Sequence, residues 1–203
     1  MPIIKEILNE GNRIVVWQFH DGEFESPALQ HESISDAVAH PKRILERQAV
    51  LAILKYMGFA NGYSYTPESR PFIPGSNQHI SISHSGSVAV VAVNKSTPVG
   101  VDVEQLDRPF DRVAKKFLSK EEQLVVNVHD KSELALIWCV KEATYKLPWA
   151  KPCSLADDMV VTLDRKQMES GWCRVKVRNC GSVAELKANF TFNGGYCLAW
   201  VNR

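Results

Sequence analysis

The hydrophobic pattern of this chain changes period partway along, and that change limits what it can fold into. From about Ser35 to Met57 the pattern is helical: Ala49, Val50, Ile53, Leu54 and Met57 fall on one stripe, and Gly58 is a plausible stop. Asn61 to Gly75 is rich in Pro, Gly and Ser and reads as a loop. Residues 79–83 and 88–93 then read as strands flanking Ser85-Gly86-Ser87, a hairpin signal, and residues 99–104 as a third strand. Residues 14–19 form an earlier strand stopped by Asp21-Gly22. Helices are predicted over 110–117, from Ser119, and from Ser132 to just before Pro148. Strands at 159–163, 172–178, 186–192 and 196–201 follow, with Gly194-Gly195 as the last turn. Strands and helices mix without strict βαβ alternation, which places the chain in the α+β class. A soft boundary near Asn94 to Pro98 divides 203 residues into halves of similar size.

Composition excludes several kinds of partner. Lys plus Arg is 24 and Asp plus Glu is 23, a net charge of +1 that gives no bulk reason to expect nucleic acid or an anionic membrane. No stretch approaches the roughly 18 apolar residues of a membrane span, and Met1-Pro2-Ile3-Ile4-Lys5-Glu6 lacks the core of a signal peptide. Cys139, Cys153, Cys173, Cys180 and Cys197 contain no CxxC pair. Reduced thiols in a cytoplasmic protein are the expectation, without a zinc site.

Asp102 and Glu104 stand two apart on a predicted strand, so they share one face while Val101 and Val103 take the other, into a core. Paired carboxylates repel and stay ionised easily only when exposed or bridged by a cation. A polar sheet face and a metal site both meet that condition. Farther on, Trp138, Glu142 and Lys146 are spaced i, i+4, i+8 on one helical stripe, with Lys141 and Tyr145 beside it. The ordinary reading is a helix-surface pair worth about 0.2–0.5 kcal/mol. The functional reading is a carboxylate and two ammoniums converging on a phosphate and its metal, with Asp102, Glu104 and Glu142 as hard oxygen ligands for Mg²⁺. Ser119-Lys120-Glu121-Glu122 fits a capping box, and a general base is the competing role for Glu122. Ser81, Ser83, His84, Ser85 and Ser87 crowd the hairpin, as a Ser-rich turn or as an anion site. Lys42, Arg43, Arg47 and Arg70 are scattered bases of the kind that more often form a solvated face.

Gly100-Val101-Asp102-Val103-Glu104, Phe117-Leu118-Ser119-Lys120-Glu121-Glu122, Trp138-Cys139-Val140-Lys141-Glu142-Ala143 with Lys146, and Ile82-Ser83-His84-Ser85 together resemble the 4′-phosphopantetheinyl transferase superfamily. Their order and spacing look like its larger, monomeric, surfactin-synthetase-activating type, and the strong motifs span Ser81 to Lys146. The resemblance implies two pseudo-symmetric α/β halves, residues 1–95 and 96–203, with coenzyme A in the cleft between them. It implies Mg²⁺-dependent (or Mn²⁺-dependent) transfer of the phosphopantetheine arm to a serine of an apo acyl or peptidyl carrier protein. Such carriers serve fatty-acid, polyketide or nonribosomal-peptide synthesis. By the same resemblance Asp102, Glu104 and Glu142 hold the metal, and Glu122 is the base. Lys141 and Lys146 contact the diphosphate, Ser83 and His84 the 3′-phosphate, and Arg43 and Arg70 the nucleotide. A non-catalytic relative binding coenzyme A or a carrier, and a different Mg²⁺-dependent phosphotransferase, are the alternatives. The chain departs from the pattern after Lys146, where Pro148 and Pro152 stiffen a segment in which many relatives carry a glycine loop.

Overall fold

The structure, a computed structural model, describes residues 3–20, 40–149, 154–179 and 181–202. Asp21-Gly22, the expected helix start at Ser35, Pro152, Cys153 and Cys180 lie outside them. The chain divides into two compact units, Met1–Lys95 and Ser96–Arg203. Among the described residues no helix is long and apolar enough to cross a membrane.

The first unit begins with β1 (Ile3–Asn9) and β2 (Asn12–Gln18). Sequence reading missed β1, although its alternating burial is a period-two pattern. The signal was the tight connection: Glu10 and Gly11 both adopt positive φ, 49° and 80°, the conformation of a two-residue hairpin turn. Helix α1 (Pro41–Tyr56) starts with His40 as cap, its Nδ1 accepting from the Lys42 amide, and buries Ala49, Val50, Ile53 and Leu54. Short strands β3 (Ser64–Tyr65) and β4 (Pro71–Phe72) interrupt the expected loop. β5 (His79–Ser85) and β6 (Val88–Asn94) form the expected hairpin, and the four longer strands pair antiparallel in the order β1-β2-β6-β5. Burial of the α1 stripe against Val15, Trp17, Val91 and Val93 makes this unit's core.

The second unit is a five-stranded antiparallel sheet, β7-β11-β10-β9-β8, comprising β7 (Val99–Gln105), β8 (Met159–Thr162), β9 (Trp172–Asn179), β10 (Ser182–Asn193) and β11 (Tyr196–Asn202). Helix α2 (Lys131–Tyr145) packs on β7 and β11. It begins one residue before the predicted Ser132, with Asp130 Oδ1 accepting from the Ser132 and Glu133 amides as N-cap. It ends ahead of Pro148. Residues 110–116 form a 3-10 helix rather than an α-helix, and the helix predicted from Ser119 is a single 3-10 turn, Glu122–Leu124. Two short helices, α3 (Leu155–Asp158) and α4 (Arg165–Glu169), were not anticipated. Phe117, Leu134, Ile137 and Val140 close the core over Val175, Ala188 and Ala199.

Candidate functional site

Gly100 sets how closely α2 can approach the edge strand β7. A Cβ built there would lie 1.9 Å from the Ala143 carbonyl oxygen, a contact no side chain can make. The missing side chain therefore lets helix backbone rest on strand backbone. Side chains alternate along a strand, so Asp102 and Glu104 lie on the same helix-covered face as Gly100. Across the ladder Val201, Ala199 and Cys197 stand opposite Gly100, Asp102 and Glu104. The carboxylates lie under α2, and Val101 and Val103 are fully buried on the opposite face, as expected.

The stripe read from α2 meets these carboxylates. Lys146 Nζ donates to Asp102 Oδ1 at 2.9 Å and to the Val101 carbonyl at 2.8 Å. Trp138 Nε1 donates to Glu104 Oε1 at 3.1 Å. Glu142 lies on the stripe between them and senses both acids. Its carboxyl is raised above the ordinary range, first by burial, then by Asp102 and to a lesser extent Glu104, with Lys146 and Arg108 opposing.

Arg108, which sequence reading did not single out, completes the group. Its Nη1 hydrogen-bonds Glu104 Oε1. Its guanidinium lies 5.3 Å from the Phe110 ring centroid and 5.4 Å from that of Trp138, within cation–π range. Trp138 is itself held edge-on by Phe117, centroids 5.2 Å apart. Arg108 lies beyond β7 and outside any periodic run, and its spacing of four from Glu104 was the local signal.

The donor set is entirely carboxylate oxygen, the chemistry a hard dication takes. The Glu142 carboxyl is raised by burial first and by the neighbouring Asp102 second, a cost that a bound dication would offset. In donor type the residues fit Mg²⁺ or Mn²⁺. Yet among the described residues no three acidic, His or Cys side chains are assembled as a metal cage. Lys146 hydrogen-bonds Asp102, and Arg108 and Trp138 hydrogen-bond Glu104.

Glu122 and Lys141 pair with each other within the fold. Ser119 and Glu122 form the capping box: Glu122 N donates to Ser119 Oγ at 3.1 Å, and Ser119 N donates back to Glu122 Oε2 at 2.6 Å. Glu122 Oε1 accepts from the Val161 amide at 2.6 Å. Lys141 Nζ, fully buried, donates to Glu122 Oε2 at 2.6 Å and to the carbonyls of Phe117, Leu155 and Met159 at 2.7, 3.0 and 2.9 Å. Burial lowers the Lys141 ammonium from its ordinary value, and Glu122 partly restores it. Both oxygens of Glu122 are engaged, and the ammonium has more acceptors than hydrogens. As placed, neither has an atom open to a substrate. The pair fastens α2 to the 117–122 loop and to β8, beside the roles that the resemblance implied, base for Glu122 and diphosphate contact for Lys141.

In the first unit Ser81 and Ser83 are buried on β5, and exposed His84 places Nδ1 3.3 Å from Glu46 Oε1 of α1. Glu46 was missed, though a carboxylate three residues before Ala49, on the apolar stripe, was the signal. Arg43 is exposed in the first turn of α1, and half-buried Arg70 closes the β3–β4 connection through backbone bonds with Thr66.

Residues 98–190 match the family model of the 4′-phosphopantetheinyl transferase superfamily. No curated protein matches the chain. The matched span holds Gly100, Asp102, Glu104, Glu122, Lys141, Glu142 and Lys146, whereas Arg43, Arg70, Ser83 and His84 precede it. The second unit is thus similar to a transferase domain of this kind, and phosphopantetheinyl transfer is the general activity the match supports.

Proposed function

We propose that this chain transfers the 4′-phosphopantetheine arm of coenzyme A to a serine of an apo acyl or peptidyl carrier protein. The observation that carries the reading is the meeting of two acids from β7 with Glu142 and Lys146 from α2, inside the span that matches the superfamily. The serine oxygen bonds to the β-phosphorus of coenzyme A, the phosphorus–oxygen bond on the nucleotide side breaks, and adenosine 3′,5′-bisphosphate leaves. The difficulty is charge: a diphosphate repels the incoming oxygen, and the leaving phosphate gains negative charge. Asp102, Glu104 and Glu142 would hold Mg²⁺ or Mn²⁺, which supplies the positive charge that offsets both. Lys146 stabilises the leaving side. Glu122, the base that the resemblance implies, takes the serine proton, directly or through water. Ser83 and His84, with Arg43 and Arg70, contact the 3′-phosphate and nucleotide in this reading. Each unit has an antiparallel sheet with one long helix packed on it, which supports reading them as related halves sufficient as a monomer.

The test is the mass of an apo carrier after incubation with coenzyme A and Mg²⁺. A gain of one phosphopantetheine, abolished in Asp102→Ala and Glu142→Ala variants that remain folded, is the expected result. No gain across fatty-acid, polyketide and peptide carriers refutes the reading, and transfer from ATP instead would point to another phosphotransferase.

A further inference from the structure

Asp102 and Glu104 meet the α2 stripe through Lys146 and Trp138, yet with Glu142 they form no metal cage, and Arg108 suggests why. Its guanidinium holds Glu104 Oε1, the same oxygen that Trp138 Nε1 reaches at 3.1 Å. The Phe110 and Trp138 rings lie 5.3 and 5.4 Å from it, so the cation is held by aromatic faces as well as by the acid. Lys146 plays the matching part on Asp102. Two built-in cations thus offset acids that would otherwise repel. They differ in one respect: Lys146 is also tied to the Val101 carbonyl, whereas the Arg108 side chain is 46% exposed. Solvent can take up the guanidinium, while the Glu104 carboxylate, only 9% exposed, stays in place for an incoming ion.

Resting on the metal reading above, we propose that Arg108 is the counter-cation of the metal-free cluster. It holds and orients Glu104, and it must leave Glu104 before that carboxylate can ligate a divalent ion. Arg108 is therefore a positioning residue that competes with the metal and sets its affinity, and it makes no bond in the transfer itself.

Mn²⁺ binding measured by electron paramagnetic resonance, on the full chain without coenzyme A, tests this apart from activity. Arg108→Met keeps most of the stem and removes the charge; it is expected to bind Mn²⁺ about three- to tenfold more tightly than the wild type. Arg108→Lys keeps the charge but loses the planar fork, and should fall between the two. Glu104→Gln should bind more weakly than all of them. Equal or weaker binding by Arg108→Met, with Glu104→Gln still impaired, overturns the role of Arg108 and leaves the metal reading standing. Wild-type affinity in Glu104→Gln, or no Mn²⁺ binding by the wild type, overturns both. If near-ultraviolet circular dichroism shows Arg108→Met to be unfolded, Arg108→Lys decides, and unchanged affinity there refutes the proposal.

Discussion

Lys141→Met separates a structural tie from a catalytic contact, because the two predict opposite outcomes. The wild-type ammonium donates to one carboxylate oxygen and to three backbone carbonyls, all at 3.0 Å or less, from a fully buried position. Methionine fills similar volume but donates nothing. It leaves Glu122 as a buried carboxylate without its counter-charge, and breaking a buried pair in this way costs about 3–5 kcal/mol. For a chain of this size that corresponds to a fall in melting temperature on the order of 10 °C. Glu122→Gln should cost a comparable amount by stranding the ammonium. The double variant should lose clearly less than the two single losses combined, since each single change already breaks the shared bond. Thermal unfolding followed by near-ultraviolet circular dichroism reads all three. A Lys141→Met protein that melts like the wild type but needs far more coenzyme A for half-maximal rate would refute the reasoning, showing that Lys141 faces substrate.

Gly100→Ala should separate the halves of the acidic cluster. The gap from 1.9 Å to the 3.0 Å that real Cβ contacts require is 1.1 Å, and backbone on the α2 side must give way by at least that much. We expect a loss of about 1–3 kcal/mol in unfolding free energy together with weakened Mn²⁺ binding, and unchanged values of both would remove the close-approach argument. Glu142→Gln should stabilise the metal-free protein at neutral pH. With its carboxyl raised in the folded state, Glu142 contributes stability that is present below its unfolded value of 4.5 and is lost as pH rises through the folded value. Melting curves across that range without divalent ions should show a fall for the wild type that Glu142→Gln lacks, and identical pH profiles would contradict the burial of Glu142 beside Asp102 and Glu104.

What the sequence determined by itself was whatever is written in local period. The β5–β6 hairpin, the strands of the second sheet and the Trp138, Glu142, Lys146 stripe follow from alternation at two or at 3.6 residues, and the capping box of Ser119 and Glu122 from a three-residue spacing. Local reading failed where two options look alike along the chain. Val101 and Val103 are as buried as any core residues, so alternation separated the two faces of β7 without telling which one α2 covers; Gly100 against Ala143 decided it. Spacing favoured a cap for Glu122 over a base, and nothing along the chain showed that Lys141, nineteen residues on, would pair with it. Arg108 and Glu46 take their meaning from Trp138 and His84, partners that lie 30 and 38 positions away. A charge's role depends on which opposite charge folding brings beside it and how much water it removes, and both are properties of the tertiary structure alone.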